Sequence, residues 1–446
     1  MDRLERTPWL LMLAVLSAAM LLQLPLVLNP GYFSHDELQW AAHATDPAVA
    51  MPLHALWSDV QTFQYRPLTF TLWMALSRRL FAHPFAFHAV LVAWGALNAT
   101  MLAGLLRRFG IGTRPAFAGA LVFAMSAFAV QTHGWIGTIA DLIWVSCALL
   151  VGLLAQRDGS RWAIAAGSAA LCAIGLLSKE SAIVIPALAG LGWLLLGRRP
   201  AWAAATLGAT VPVLLYLGVR LEAILFTPRE AANYGWSLSY LPLRWAEYQL
   251  FPPIATRQGI TGLLPAGFGE PRVWVAAVLW LALAWTFWRA GPRWLLAFLL
   301  LGAASLGPVL ILADSANQYG YGFAAAIAGL GAALWSRSDR AGRVVLALCA
   351  LLSVWHGINV MRRMHEIGEL QSRFSPSMAR AVAAADAYPV RIRAVDPGQH
   401  WIYLRLSHHI HSYDGVSIGD RVQLVPADAP TDYLIGKDGT LAPAPE

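Results

Sequence analysis

Asp36 and Glu37 stand side by side in Phe33-Ser34-His35-Asp36-Glu37-Leu38, directly after the first apolar run of the chain. Carboxylates beside a bilayer are costly and tend to be kept for function. Such a pair suits general base catalysis, with one carboxylate taking a proton from an attacking hydroxyl and the second supporting it. The plainer reading is a solvated loop mouth. Other ionisable residues have unusual settings too: Arg66 in Tyr65-Arg66-Pro67-Leu68, Asp141 at the head of an apolar run, and Lys179 beside Glu180. Lys179 is one of two lysines, the other being Lys437. Arg66, Lys179 and, in a later loop, Arg257 are candidates to hold phosphate, arginine as a planar fork and lysine as a point charge. The candidate substrate contacts are His35, His133, Asp141, Glu180 and Gln318. A base for an acceptor's proton together with cations for a departing phosphate is what sugar transfer from a phosphate leaving group requires.

The elements that must position these residues are membrane spans. Hydrophobic residues make up 58% of the 446-residue chain and charged ones 13%, which excludes an ordinary soluble domain. Apolar runs of about 16 to 22 residues recur from Pro8 to Val360, near the length that crosses a bilayer. The twenty tryptophans suit lipid–water boundaries. The first run, Pro8–Leu28, lacks a small-residue cleavage site and reads as a retained anchor.

The net charge of +7 does not point to nucleic acid. Arginines gather in alternate loops, as in Arg107, Arg108 and Arg114, then Arg157 and Arg161, then Arg198 and Arg199, while the loops between are nearly free of basic residues. This is the positive-inside pattern, so the basicity records topology. It places the amino terminus in the cytoplasm and brings Asp36, Glu37, Arg66, His133, Lys179, Glu180, Arg257 and Gln318 to the outer ends of helices or into outer loops. The stretch after Arg66 has Leu68, Leu72, Leu76 and Leu80 at helical spacing but carries Arg78 and Arg79. It reads as an interfacial helix, because a span there would invert every later loop.

The expected fold class is therefore an all-α polytopic membrane protein of about eleven transmembrane helices, with that interfacial helix in the first outer loop and a small carboxy-terminal α/β soluble domain. The membrane domain covers residues 1–360 and the tail residues 361–446. In the tail, Met361–Ala387 reads as a polar helix broken at Ser375-Pro376. Val390–Val395, His400–Leu406 and Arg421–Val425 read as strands between Asp396-Pro397-Gly398 and Asp414-Gly415 turns. Cys147, Cys172 and Cys349 all fall in apolar runs, so no disulfide framework is indicated. His400, His408, His409 and His411 match no compact metal motif, and no metal or cofactor is expected.

Phe33-Ser34-His35-Asp36-Glu37, Tyr65-Arg66-Pro67-Leu68, Phe87-His88 and Leu105-Leu106-Arg107-Arg108-Phe109-Gly110 together resemble the GT-C superfamily of membrane glycosyltransferases, which includes protein O-mannosyltransferases and the lipid A aminoarabinose transferase. Trp135-Ile136, Ala140-Asp141-Leu142, Ser178-Lys179-Glu180-Ser181, Gln249-Leu250-Phe251-Pro252 and Tyr319-Gly320-Tyr321 are similar to the mannosyltransferase branch whose eukaryotic members carry tetratricopeptide repeats. The chain departs from that branch at Ile139 and Gln318, where the branch commonly has arginine, and carries no repeats. The resemblance implies a polyprenyl-phosphate sugar donor, Asp36 as base or acceptor ligand with Glu37 in support, and phosphate contacts from basic residues of the same face. It does not carry over the acceptor, which stays open among protein, lipid and glycan.

Two other classes compete. A transporter or lipid-carrier flippase would use Glu180 and Asp141 as a proton-linked pair, and a polytopic scaffold would use its tail to bind a partner. Transporters tend to break their helices near the midplane, whereas here the ionisable residues sit at one end of the helices. The arginine-rich, lysine-poor, alanine-rich usage suggests a bacterial chain, hence an inner membrane with the tail in the periplasm.

Overall fold

The structure is a computed structural model of the 446-residue chain and describes residues 8–62, 64–226, 235–250, 269 and 271–445. Helix accounts for 75% of the described residues. Two short elements, Pro8–Leu22 (α1) and Leu24–Val27 (α2), lead into an outer segment with His35–Thr45 (α3), Leu53–Ser58 (α4) and Pro67–Leu80 (α5). Then come Pro84–Arg108 (α6), Thr113–Ala124 (α7), Ala127–Gly134 (α8), Ile139–Ala155 (α9), Arg161–Ser178 (α10), Ile185–Leu195 (α11) and Pro200–Phe226 (α12). Leu241–Leu250 (α13), Pro271–Ala290 (α14), Pro292–Leu306 (α15), Tyr321–Trp335 (α16) and Arg340–Ala384 (α17) complete the bundle. Among the described residues, seven helices are long and apolar enough to cross a membrane, and eight if the bent pair α7–α8 counts as one span. The chain is a multi-pass helical membrane protein, and helices suit a bilayer because they satisfy backbone groups within their own segment.

Three local features differ from the sequence expectation, each for a physical reason. The third apolar run is not one straight helix. Ser126 caps α8 by accepting from Ala129 N at 3.2 Å, and the axis turns by 58° between α7 and α8. α17 packs into that break at Gly357, where a Cβ would lie 1.9 Å from the Met125 carbonyl oxygen, so only glycine fits. Next, the Ser375-Pro376 site does not end a helix, since α17 runs through Pro376. A mid-helix proline costs about 3 kcal/mol; Phe374 and Met378 on either side are fully buried, each contributing about 1.5–3 kcal/mol. Finally, His400–Ser407 is a helix (α18) rather than a strand. Its buried residues are Ile402, Tyr403 and Leu406, a helical spacing selected by packing against α17, with the Phe374 and Tyr403 rings 5.0 Å apart.

α17 also decides where the tail sits. Its 45 residues extend for about 67 Å at 1.5 Å per residue, twice the bilayer's hydrocarbon thickness of about 30 Å. The boundary expected at residues 360/361 thus falls inside one continuous helix. Beyond it, Val390–Ala394 (β1), Val422–Leu424 (β4) and Tyr433–Ile435 (β5) pair in parallel, and Leu441–Pro443 (β6) joins β5 antiparallel, giving the order β4-β1-β5-β6. Ser412–Tyr413 (β2) and Val416–Ser417 (β3) form a hairpin whose turn residues Asp414 and Gly415 both have positive φ, the geometry that matches strand twist in a two-residue turn. The apolar core of this tail is continuous with that of the bundle.

Candidate functional site

The first outer loop is built around a capping box. Ser34 is the N-cap of α3 and accepts from Asp36 N, while Glu37 three residues on reaches back to Ser34 N at 2.8 Å. This is the signature S/T-x-x-E, which satisfies two of the helix's orphan N–H groups. Glu37 does more. Its Oε2 also accepts from Phe33 N at 2.6 Å, and its Oε1 accepts from Ile136 N at 2.9 Å, just before α9. Burial pushes the Glu37 carboxyl up to about 7, against the pull of these three N–H groups. With 1% of its surface exposed, Glu37 clasps two loops together and faces no open space.

Asp36 is the opposite case. Its side chain keeps 33% of its surface exposed, at the N-terminal turn of α3 where the helix dipole favours an anion. Ser34 Oγ donates to its Oδ2 at 3.1 Å, and His35 Nε2 lies 3.2 Å from its Oδ1. The loop behind it is braced on α17. Tyr32 N donates to Gln371 Oε1 at 2.8 Å and Asn29 Nδ2 to the Met364 carbonyl at 3.2 Å. Gly31 approaches so closely that a Cβ would lie 2.2 Å from the Gly368 carbonyl oxygen. On the other side, Trp40 stacks on Phe70 of α5 at 4.3 Å.

α5 begins just after Arg66, and the structure joins Arg66, Asp141, Lys179 and Glu180 into two neighbouring ion pairs. Arg66 grips Glu180 in a fork, Nε at 3.0 Å and Nη2 at 2.8 Å from Oε2. Lys179 Nζ lies 2.7 and 2.6 Å from the two oxygens of Asp141, and Trp144 Nε1 donates to the same carboxylate at 3.1 Å. The Lys179 ammonium also sits 5.0 Å from the Tyr319 ring centroid. Thr69 Oγ1 donates to the Ser178 carbonyl at 2.9 Å, which sews α5 onto the end of α10. Each cation of this cluster already holds a carboxylate.

The remaining candidates scatter. His133 is fully buried, with Nδ1 2.8 Å from Gln23 Oε1 and Nε2 3.0 Å from the Tyr321 hydroxyl. Asn98 Nδ2 donates to the same hydroxyl at 3.1 Å. His133 belongs to a polar chain inside the bundle, away from any opening. Gln318 lies in a short 3-10 turn, Asn317–Gly320, with Oε1 buried and without a hydrogen-bond partner. Arg257 lies outside the described residues.

Sequence reasoning missed the contacts that the tail makes around the loop carrying Asp36. The Arg405 guanidinium of α18 lies 5.0 Å from the ring centroids of both Phe33 and Trp135. The His35 ring meets His408 at 5.9 Å, and His408 meets His409 at 3.7 Å. Further along this seam His43 meets His411 at 5.0 Å, and Ser412 Oγ donates to Asp46 Oδ2 at 2.5 Å. His35 is held below the usual imidazole range chiefly by burial; Asp36 opposes the shift, and Arg405, His408 and His409 add to it. The available signal was Arg405-Leu406-Ser407-His408-His409, but a strand reading placed it on no particular face. Among the described residues, no three His, Cys, Asp or Glu side chains converge as metal ligands. No protein-family model, curated protein or solved structure matches this chain, so its function is read from the site itself.

Proposed function

We propose that the chain is a membrane glycosyltransferase that moves a sugar from a polyprenyl-phosphate-linked donor to an acceptor hydroxyl at the outer face, with Asp36 as base. One observation carries this reading: of the four acids gathered at this end of the helices, Asp36 keeps the most exposed carboxylate, 33% against 23% for Glu180, while Glu37 holds three backbone N–H groups and Asp141 and Glu180 each close on a lysine or arginine. In the reaction, the acceptor oxygen attacks the anomeric carbon as its proton passes to Asp36. The bond to the phosphate oxygen breaks and its electron pair leaves with the lipid phosphate. A single displacement of this kind inverts the anomeric centre, and a positioned base contributes about 10²–10⁴-fold to the rate.

The membrane layout that serves this reaction has eleven crossings: the eight long spans plus the shorter apolar helices α1, α11 and α16. The amino terminus lies in the cytoplasm of a bacterial cell, and residues 361–446 form a small domain in the periplasm above the inner membrane. The transporter alternative has less support, because Glu180 and Asp141 close on different cations rather than on each other.

The test is complementation of cells that lack the protein. Such cells should accumulate one polyprenyl-phosphate sugar, wild-type protein should clear it, and Asp36→Asn should leave it in place while inserting normally and keeping its thermal midpoint. Clearance by Asp36→Asn would remove Asp36 from the mechanism, and an unchanged pool of lipid-linked sugars would remove the transferase reading itself.

A further inference from the structure

We propose that the bundle carries a second ligand site at the end opposite Asp36, where a cavity between α6, α9, α11, α15 and α16 takes an acyl chain of an anionic phospholipid and Arg293 and Arg337 hold its phosphate. The site stands apart from the transferase reading, since it shares no residue with the Asp36 loop or with the two ion pairs.

Side-chain size makes the void. α16 turns Ala326, Gly329 and Ala333 toward one wall, at the i, i+3, i+7 spacing of a single helix face. Side chains this short leave room before the facing helices, and a cavity of about 730 Å³ results. Arg293 and Ser305, near opposite ends of α15, both line it. They are separated by about 18 Å at 1.5 Å per residue, against about 15 Å for the hydrocarbon of one leaflet, half of the bilayer's. An extended chain therefore fits end on. Trp144, which donates to Asp141 at 3.1 Å, lines the far end beneath the Lys179–Asp141 pair. Leu196 lines the near end and is 38% exposed, so the cavity meets the bundle's surface there.

Charge decides the occupant. The lining includes two arginines and no Asp or Glu. The Arg337 guanidinium lies 5.4 Å from the Trp294 ring centroid, which steadies it at the mouth, and Arg293 directly precedes that tryptophan. Asp339, two positions beyond Arg337, is committed elsewhere: it pairs with Arg289 at 2.8 Å and caps α17 by accepting from Gly342 N at 2.8 Å. Among the described residues, no carboxylate pairs with Arg293 or Arg337. Basic pockets between transmembrane helices select anionic headgroups, and the arginine fork matches the two free oxygens of a phosphodiester. A lipid whose phosphate lay at the Asp36 end would leave both arginines unmatched, so the chain enters from the arginine-rich end.

The test is native mass spectrometry of the full chain, purified in detergent and mixed with equal amounts of phosphatidylglycerol and phosphatidylcholine bearing identical acyl chains. For the first lipid bound, wild type should prefer phosphatidylglycerol about tenfold, the worth of roughly one charge-assisted contact. Phosphatidylglycerol should also raise the thermal midpoint, as a ligand of the folded state does. Arg293→Gln/Arg337→Gln should bring the ratio to near parity and remove that rise, with an unchanged midpoint in phosphatidylcholine. Ala326→Phe, which fills the middle of the cavity, should lower phosphatidylglycerol retention severalfold with both arginines intact, and Ala333→Leu should do so with a smaller side chain if the first variant does not fold. Glycerol 3-phosphate should not displace the bound lipid. Equal retention of the two lipids by wild type, or a preference that survives the double arginine variant, would overturn the headgroup site. Full retention in the folded cavity variants would overturn the seat of the chain, and displacement by glycerol 3-phosphate would reassign the arginines to a soluble anion.

Discussion

Two polar clusters lie at one end of this helical bundle, and they are built on opposite rules. In the first, Arg66–Glu180 and Lys179–Asp141 are closed pairs, short, partly or fully buried, and neutral in sum. In the second, Asp36 is partly open beside His35, and the tail brings His408 against the His35 ring and Arg405 onto the Phe33 and Trp135 rings. A matched pair has little to offer a ligand. A carboxylate at a helix start that keeps a third of its surface exposed, as Asp36 does, leaves its charge available. The comparison teaches that unusual ionisable residues near a membrane divide into those that join helices and those that meet substrate, and that pairing tells them apart.

Breaking the closed cluster should have the largest effect on stability. Lys179→Met leaves Asp141, itself 2% exposed, without its cation, and should cost about 3–5 kcal/mol, read as a fall in thermal midpoint of the purified protein. Adding Asp141→Leu should restore most of that loss, since a buried pair replaced as a whole is often neutral. Failure of the double variant to recover would mean that the pair does more than hold α9 to α10.

Glu37→Gln should come next, at about 1–3 kcal/mol, because an amide cannot accept from all three backbone donors. It also carries a pH signature with a definite sign. The folded carboxyl titrates near 7 rather than at its ordinary 4.5, so between those values the folded chain keeps a proton that the unfolded chain has lost. Stability therefore declines as pH rises from 4.5 toward 7 and levels off above it. Thermal midpoints across that range should slope for wild type and be flatter for Glu37→Gln. A slope that survives the substitution would assign the titration elsewhere.

Arg66→Gln should cost less than the Lys179 change, about 1–2 kcal/mol, because that pair is partly exposed to solvent. The smallest effect belongs to the open cluster. His408→Gln, at an exposed position, should change stability by no more than about 0.5 kcal/mol, read as a nearly unchanged thermal midpoint. A large destabilisation by His408→Gln would move this histidine into the structural class and blur the division.

Much of the scaffold was legible in the residues. Apolar runs of bilayer length located the helices, with Pro84–Arg108 and Arg161–Ser178 matching the expected spans closely, because a bilayer imposes length and polarity on each span separately. The capping box Ser34–Glu37 could also be read as a local pattern. The contacts between distant segments could not. That Glu180 would take Arg66, 114 positions away, follows from how α5 lies across α10. The helix at His400–Ser407 was misread because its apolar residues fit a strand's alternation equally well, and packing on α17 chose between the two.

Asp36 and Glu37 show where the division falls. The sequence by itself determined that two adjacent acids would stand just beyond the first apolar run, since hydropathy is a local property of adjacent residues. Only the tertiary structure decided their roles. Ile136 N donates to the second oxygen of Glu37, which is buried, while the tail's Arg405 and His408 reach Phe33 and His35 on either side of the cap and leave the Asp36 carboxylate partly open. Burial and pairing depend on which distant segments fold against a residue, and those properties separate the buried clasp of Glu37 from the partly open carboxylate of Asp36.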